Sequence, residues 1–380
     1  MNHFAIAGLG VTSFGQFPHL SLNALTAEAV CRAIDDAGLT RQQIDGYISK
    51  GPGMGPEGQV PRFLGLGAKF VWAIGTGGVA AHASITAACG ALDAGMADYI
   101  VCLEAMDRAR TPPVGSSTSA IAQEPSQVYG HIGPSGEHAY AARRHMHEYG
   151  TTSRQLGAVA VAQRWYANRR PDALMHAHPL TIEEHQQSPY VVEPLRLLDC
   201  CLQSDGAVAV IVTTVERARA LKSKPVAIMG IGMGHQVRQY YLNRSCVVED
   251  VAPAKEAAFR GAGIELQDID VAQICDAYTL TVVTQMEGYG WCGPGEGGPF
   301  VESGATRMDG VIPVNTAGGA LSGFYCEGYT FIAEAVRQLR NEAGATQVKD
   351  AQIALATGHG STGTGRAMQY IHGAMVLGKL

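Results

Sequence analysis

The sequence predicts a layered α/β protein built from two similar halves, and three observations predict it. Residues 4–10, FAIAGLG, form an apolar run closing on glycine, and residues 226–232, VAIMGIG, repeat that form more than halfway along the chain. Each run leads into a helical pattern that ends on Ala-Gly, a polar turn and a second apolar run, AGLTRQQIDGYI at 37–48 and AGIELQDIDVAQI at 262–274. Further on, residues 91–106 and 335–357 both give a helix followed by an apolar strand, introduced by Asp98 in one and Asp350 in the other. Strands this continuously apolar belong to sheets covered on both faces, so duplication of a strand-helix unit implies stacked layers with pseudo-two-fold symmetry.

Taken in order, the first half runs through strand 4–10, its helix, the strand ending near 48, a long helix at 77–95 and the strand ending near 106. An irregular insertion follows at about 108–194. It contains TPPVGSSTSA, a helix at 138–149, another at 154–168 and a loop holding His176, His178 and His185. An insertion of this length in a compact α/β body reads as a lid or substrate-binding subdomain. His145 and His147 stand two apart on a helix and face different sides, which does not suit a metal pair. An Asp-Gly turn at Asp205-Gly206 should then start a buried strand. These elements divide the chain into residues 1–220, including the insertion, and 221–380.

Composition narrows the function. The chain has 380 residues, 46% hydrophobic and 16% charged, enough to bury a large core. A formal net charge of -6 gives no basic footprint for nucleic acid, and no run is long enough to span a bilayer. The first residues lack a basic, then apolar, leader, which reads as cytoplasmic. Nine cysteines are scattered without CxxC spacing, so neither a disulfide framework nor a metal site is expected.

The stretch 315–334, NTAGGALSGFYCEGYTFIAE, carries the chemistry. A glycine-rich turn feeds a buried helix, and Tyr325, Cys326 and Glu327 lie at the junction, a common way to present side chains at the edge of a sheet. The alternative is a packing turn in which Tyr325 belongs to the core.

The segments GALDAGMADYIVCLEAM, RRHMHEYGTTSRQLGAVAVAQR, PLRLLDCCLQSDGAVAVIV, GYGWCGPGEGGPFVESGATRMDGVIPVNTAGG and AEAVRQLRNEAGATQVKDAQIAL together resemble the thiolase superfamily. They are most similar to its sterol-carrier-protein-type thiolases and thiolase-like lipid-transfer proteins. The resemblance spans nearly the whole chain. It implies the five-layer thiolase fold with two similar halves and an inserted loop subdomain, a homodimer core and acyl-CoA substrates, with no tightly bound cofactor.

The family's chemical residues are missing. Its nucleophilic cysteine should stand at the start of the first long helix, where counting back from Ala94-Gly95 lands on Gly78; Cys89 lies further along the helix as a core residue. The Gly-His-Pro motif should fall in LSGFYCEGY, which has neither His nor Pro. The late cysteine is replaced by ATGHGSTGTG, which offers His359, and the His-Asp-Cys-Phe-Thr motif becomes Cys275-Asp276-Ala277-Tyr278-Thr279.

A thioester-binding scaffold without a nucleophile can still cleave a carbon-carbon bond through an enolate. The chain resembles the thiolase-like aldolases that shorten steroid side chains in this way. On that resemblance Tyr325 is the proton-transfer residue, and Cys275 or Tyr278 is its partner. Gly78, Gly360 and His359 form the oxyanion hole, and Asp276 lines the same pocket. Tyr278 as a pocket wall, Asp276 as a cap and His359 as a structural histidine remain the other readings. Related aldolases also imply a small zinc-ribbon/OB-fold accessory subunit. Two other functions stay open: a thiolase or acyltransferase whose nucleophile has moved to Cys275 or Cys326, and a non-catalytic acyl-CoA-binding subunit.

Overall fold

Strands β1 (Phe4–Val11) and β8 (Val226–His235) are the two apolar runs that close on glycine, and those glycines explain how each is covered. A Cβ on Gly8 or Gly10 would lie 2.4 or 2.0 Å from the carbonyl oxygens of Ala33 and Ala29 in the helix Leu22–Ala37. In the second half, Gly230 and Gly232 stand in the same relation to Ala258 and Ala254 of the helix Val251–Ala262, at 2.0 and 1.9 Å. Each outer helix therefore rests directly on strand backbone, an approach that any side chain would block. The computed structural model describes residues 3–50, 56–108, 133–235, 251–361 and 370–380. The expected TPPVGSSTSA loop and the final TGTG of ATGHGSTGTG lie outside them.

The duplication extends to small details. Both outer helices end on a left-handed glycine, Gly38 at φ 71° and Gly263 at φ 68°. In the turns that follow, the Gln43 side chain accepts from the Thr40 N–H and the Asp268 carboxylate from the Glu265 N–H. Asp45 then accepts from the N–H groups of Asp98 and Tyr99, as Asp270 does from Gln352 and Ile353. These two carboxylates tie the start of β2 (Gly46–Ser49) to β4 (Ile100–Asp107), and of β9 (Val271–Gln273) to β10 (Ile353–Ser361).

With β3 (Phe70–Ala73), β7 (Asp205–Thr214) and β11 (Tyr370–Lys379), the main sheet has the order β3-β2-β4-β7-β1-β8-β11-β10-β9. The sub-orders β2-β4-β7-β1 and β9-β10-β11-β8 are the same, with the first pair parallel and the others antiparallel in both. Only Phe4, Ala5 and Ile6 of β1 pair with β8, so two sheets meet along one edge. A separate hairpin, β5 (Tyr190–Val192) with β6 (Leu195–Arg196), belongs to the insertion.

Alternation along the strands sets the layers. Ile100, Cys102, Val208 and Val210 point into the same core as Ala354, Ala356, Met375 and Leu377, and that core is filled by the helices Ala80–Asp93 and Glu327–Arg340. Val101, Leu103, Ala209 and Ile211 point the other way, onto Leu22–Ala37. Leu355, Ala374 and Val376 point onto Val251–Ala262 and Thr279–Tyr289. The result is five layers, helix-sheet-helix-sheet-helix, with two central helices buried between the sheets.

Local departures from the expected elements have local causes. The first central helix opens with a tight turn at Gly77–Val79 before the α-helix begins at Ala80. The helix expected at 138–149 already starts at Gly133, and the next spans Ser153–Ala167. Asp205-Gly206 is not a turn but the start of β7, because Asp205 pairs with Gly15 and its carboxylate accepts from the Phe17 N–H at 2.9 Å. His145 is buried between Thr151 and Glu287, whereas His147 is exposed. No described helix is long and apolar enough to cross a membrane.

The duplicated glycine contacts make a direct prediction. Gly10→Ala and Gly232→Ala should each destabilise the protein by about 1–3 kcal/mol in denaturant melts, since a backbone carbonyl cannot rotate away. Gly90, in the first central helix, has nothing within 4 Å of the place a Cβ would take. Gly90→Ala should therefore be neutral or raise stability by up to about 1 kcal/mol.

Candidate active site

The two central helices begin at the same place. Gly78 lies so close to the end of β10 that a Cβ on it would sit 2.0 Å from the His359 carbonyl oxygen, and a Cβ on Gly360 would sit 2.5 Å from the Gly78 nitrogen. Gly328, in the first turn of the second central helix, would carry its Cβ 3.1 Å from both the Gly78 carbonyl oxygen and the Ala81 Cβ. Backbone from three segments thus converges where two helix N-termini concentrate partial positive charge. Any side chain at Gly78, a cysteine included, would drive its Cβ into the His359 carbonyl in this packing.

The stretch 315–328 is folded by the segment 275–279. Gly318 and Gly319 take φ of 92° and 58° and open a π-helical turn, Gly319–Gly323. Asn315, at φ 54°, accepts from the Ile274 N–H at 2.7 Å and donates to the Ile274 carbonyl at 2.8 Å. Asp276 accepts from the N–H groups of Ala320 and Leu321 at 2.8 and 3.1 Å. Cys275 donates its N–H to Thr357 Oγ1 at 2.8 Å and its thiol to the His359 carbonyl at 3.7 Å. Cys275, His359, Gly78 and Gly360 therefore border one region, and Tyr325 is near enough to Cys275 for the thiol to act on its phenol.

Tyr325 is half-buried, with the Arg108 guanidinium carbon 5.5 Å from its ring centroid. Burial pushes its phenol well above the usual value; Glu327, Cys201 and Cys275 add to the rise, and Arg108 opposes it. Glu327 opens the second central helix at φ 44°, a conformation that costs a non-glycine residue on the order of 1–3 kcal/mol. It is held there by Lys50 and by Arg108, whose Nη2 lies 3.3 Å from the carboxylate. Lys50 also reaches Glu104 at 2.8 Å. Burial works against the charge on Lys50, yet these two carboxylates outweigh it and raise its pKa.

Tyr278 lies on the other side of Cys275. Its hydroxyl is 2.9 Å from Ser135 Oγ, and its ring stacks on His138 at 4.2 Å. His138 in turn meets His359 edge-on at 5.8 Å, and His359 stands 6.2 Å from His372. Burial lowers His138 to about 3, with His359 adding to the fall, and lowers His359 to about 4, so both are neutral at pH 7.

Two expectations change. Asp276 does not face the converging region; it is fully buried and caps the π-helical turn, whose N–H groups at Ala320 and Leu321 draw its carboxylate inward. The thiols offered as relocated nucleophiles are poorly placed. Burial pushes Cys275 up to about 12 and Cys326 well above its usual value, and Cys326 is fully enclosed with its thiol directed at the Glu104 carbonyl. Nucleophilic cysteines need the opposite shift. Cys89 packs in the central core.

Sequence reasoning passed over Lys50, Glu104, Arg108 and His138. Glu104 had a signal, since a single carboxylate inside the apolar strand VCLEAM demands a buried partner. Arg108 and Lys50 had none beyond standing just past strand ends. Among the described residues no group of three His, Cys, Asp or Glu side chains is placed to hold a metal.

Comparison with known proteins supplies the relatives. Residues 232–373 match the thiolase C-terminal domain-like family. The chain is 36% identical over 351 residues to the 17-hydroxy-3-oxo-4-pregnene-20-carboxyl-CoA lyase of Mycobacterium tuberculosis, covering 88% of this chain and 91% of that one. It is also 36% identical to a steroid side-chain-cleaving aldolase of Thermomonospora curvata, covering 88% and 90%. The solved Ltp2-ChsH2(DUF35) aldolase superposes with a TM-score of 0.89 at 35% identity, covering 100% of this chain and 98% of that chain.

Asp276 gives this region a measurable pH signature. Burial raises its carboxyl to about 7, against the N–H groups of Ala320 and Leu321 that hold it down. The folded chain then binds this proton more tightly than the unfolded chain. Its contribution is present below about pH 4, the ordinary carboxyl range, and is lost as pH rises through about 7. Denaturant melts between pH 4 and 7 should show wild-type stability falling with pH relative to Asp276→Asn, in which that slope is absent.

Proposed function

The chain belongs to the thiolase superfamily, in the branch of sterol-carrier-protein-type, side-chain-cleaving aldolases, and from that premise we propose how its residues perform retro-aldol cleavage of a β-hydroxyacyl-CoA. It is a carbon-carbon lyase acting on acyl-CoA. The observation that carries the assignment of roles lies at the helix N-termini: packing leaves no room for a side chain at Gly78, while a phenol, Tyr325, stands nearby under a guanidinium.

Tyr325 is a phenol at rest, and the small fraction that is ionised takes the proton of the substrate β-hydroxyl. The bond between the α- and β-carbons breaks, the β-carbon leaves as a ketone or aldehyde, and the electron pair moves into the thioester as an enolate. Tyr325 then returns its proton to the α-carbon, giving a shorter acyl-CoA and restoring the phenolate. The enolate oxygen lies toward backbone N–H groups around Gly78 and Gly360, at the positive ends of the central helices, with neutral His359 beside them. One such donor is typically worth about 3 kcal/mol in the transition state. Cys275 borders Tyr325 as an uncharged wall, and Tyr278 with His138 forms the adjoining wall, which Ser135 fastens to the insertion.

The substrate class extends to steroid acyl-CoA. The Mycobacterium relative is named for a 17-hydroxy, 20-carboxyl-CoA steroid, in which the hydroxyl-bearing carbon is β to the thioester. The likeness to the Ltp2-ChsH2(DUF35) aldolase supports a DUF35 partner; the zinc-ribbon/OB-fold subunit and the homodimer core that the family resemblance implies complete the proposed assembly. No tightly bound cofactor enters these steps.

Cleavage is assayed with such a partner and a β-hydroxyacyl-CoA, following the carbonyl product and the shortened acyl-CoA. Tyr325→Phe should lower kcat by about 10²–10⁴-fold. Cys275→Ser and Cys326→Ser should retain cleavage, and no acyl group should be trapped on either thiol. An inert wild-type complex, or an acyl-cysteine that forms at the rate of turnover, overturns the assignment.

A further inference from the structure

Arg108 stands just past the end of β4, on the edge of the site, and has two neighbours of opposite meaning. Its guanidinium carbon stands 5.5 Å from the Tyr325 ring centroid, and its Nη2 lies 3.3 Å from Glu327 Oε1. Lys50 shares that same carboxylate oxygen and bridges it to Glu104, which is itself 1% exposed. The four residues come from β4, its end, the end of β2 and the first turn of the second central helix, so they form a balanced set of two cations and two anions. Glu327 keeps a left-handed backbone at the first position of its helix, which directs its carboxylate to these cations only two residues from Tyr325.

We propose that Arg108 is a positioning residue for the retro-aldol reaction, which tethers to Glu327 and eases the ionisation of Tyr325 that burial opposes, while Glu327 is the counterweight that limits this effect. The proposal rests on Tyr325 being the proton-transfer residue. The physical case is that a half-buried phenol cannot form an anion without a cation in reach, since burial disfavours the charged form. Arg108 is the guanidinium that faces it. The other groups facing Tyr325 are the Glu327 carboxylate of its own segment and the neutral thiols of Cys201 and Cys275. Lys50 stands behind Glu327 and screens part of its charge, so Arg108 is not fully neutralised by its tether. A purely structural Arg108, present to balance a buried Glu327, accounts for the ion pair but gives no dependence of Tyr325 on either residue.

The test is the pH profile of kcat for the full chain with its partner, read at the limb where activity rises as Tyr325 ionises. Arg108→Gln should move that limb up by about one to two pH units, and Arg108→Lys should leave it close to wild type. Glu327→Gln should move it down, the opposite direction, because it removes the opposing charge. The tyrosinate absorbance that is lost in Tyr325→Phe should shift in the same directions without substrate. Variants that lower the kcat plateau while the limb and the absorbance stay in place overturn the proposal. If Arg108→Gln does not fold, the absence of a downward shift in Glu327→Gln is decisive against it. Cleavage surviving in Tyr325→Phe instead defeats the assignment of Tyr325, a separate outcome from an unmoved limb in Arg108 variants.

Discussion

The contact between Gly78 and the His359-Gly360 backbone is the constraint on which the site depends. It brings the start of the first central helix onto the end of β10 at distances no side chain allows, and Gly328 brings the second central helix onto the same spot. Two helix N-termini and a strand end thereby share one small space. The arrangement favours negative charge that develops there, and it leaves no room for a side chain at Gly78.

Around that contact, short polar side chains fix the segments that would otherwise move. Asn315 mimics a strand partner for Ile274, Asp276 caps the π-helical turn, and Thr357 holds Cys275. Gln285 extends the tie, donating to the Cys275 carbonyl and accepting from Thr357. Each is buried and satisfied, so the loop between β9 and its following helix has one arrangement. On this rigid frame the balance of Lys50, Arg108, Glu104 and Glu327 can tune a phenol. Charges on mobile loops would be solvated, and their influence on Tyr325 would be screened.

The layered fold was legible because its signals are local and repeated. Glycine at the same two places in FAIAGLG and VAIMGIG, Ala-Gly helix ends, and Asp45 with Asp270 all stand at matching points of the duplicated unit. Tyr325 stood out because of what the surrounding motif lacked. Asp205-Gly206 misled because a turn dipeptide can equally start a strand when a distant residue, here Gly15, pairs with it. Asp276 was misplaced for a similar reason, since a carboxylate in a pocket-lining motif reads the same whether it faces substrate or caps a turn 44 residues away.

The sequence by itself determined the two-fold repeat and the buried strands and helices, since these depend on composition and spacing along the chain. Only the tertiary structure decided which side chains surround Tyr325. Lys50, Glu104, Arg108 and Glu327 come from segments up to 277 residues apart, and whether their charges meet depends on how two sheets and two central helices pack. That information resides in distances across layers, which no local pattern encodes.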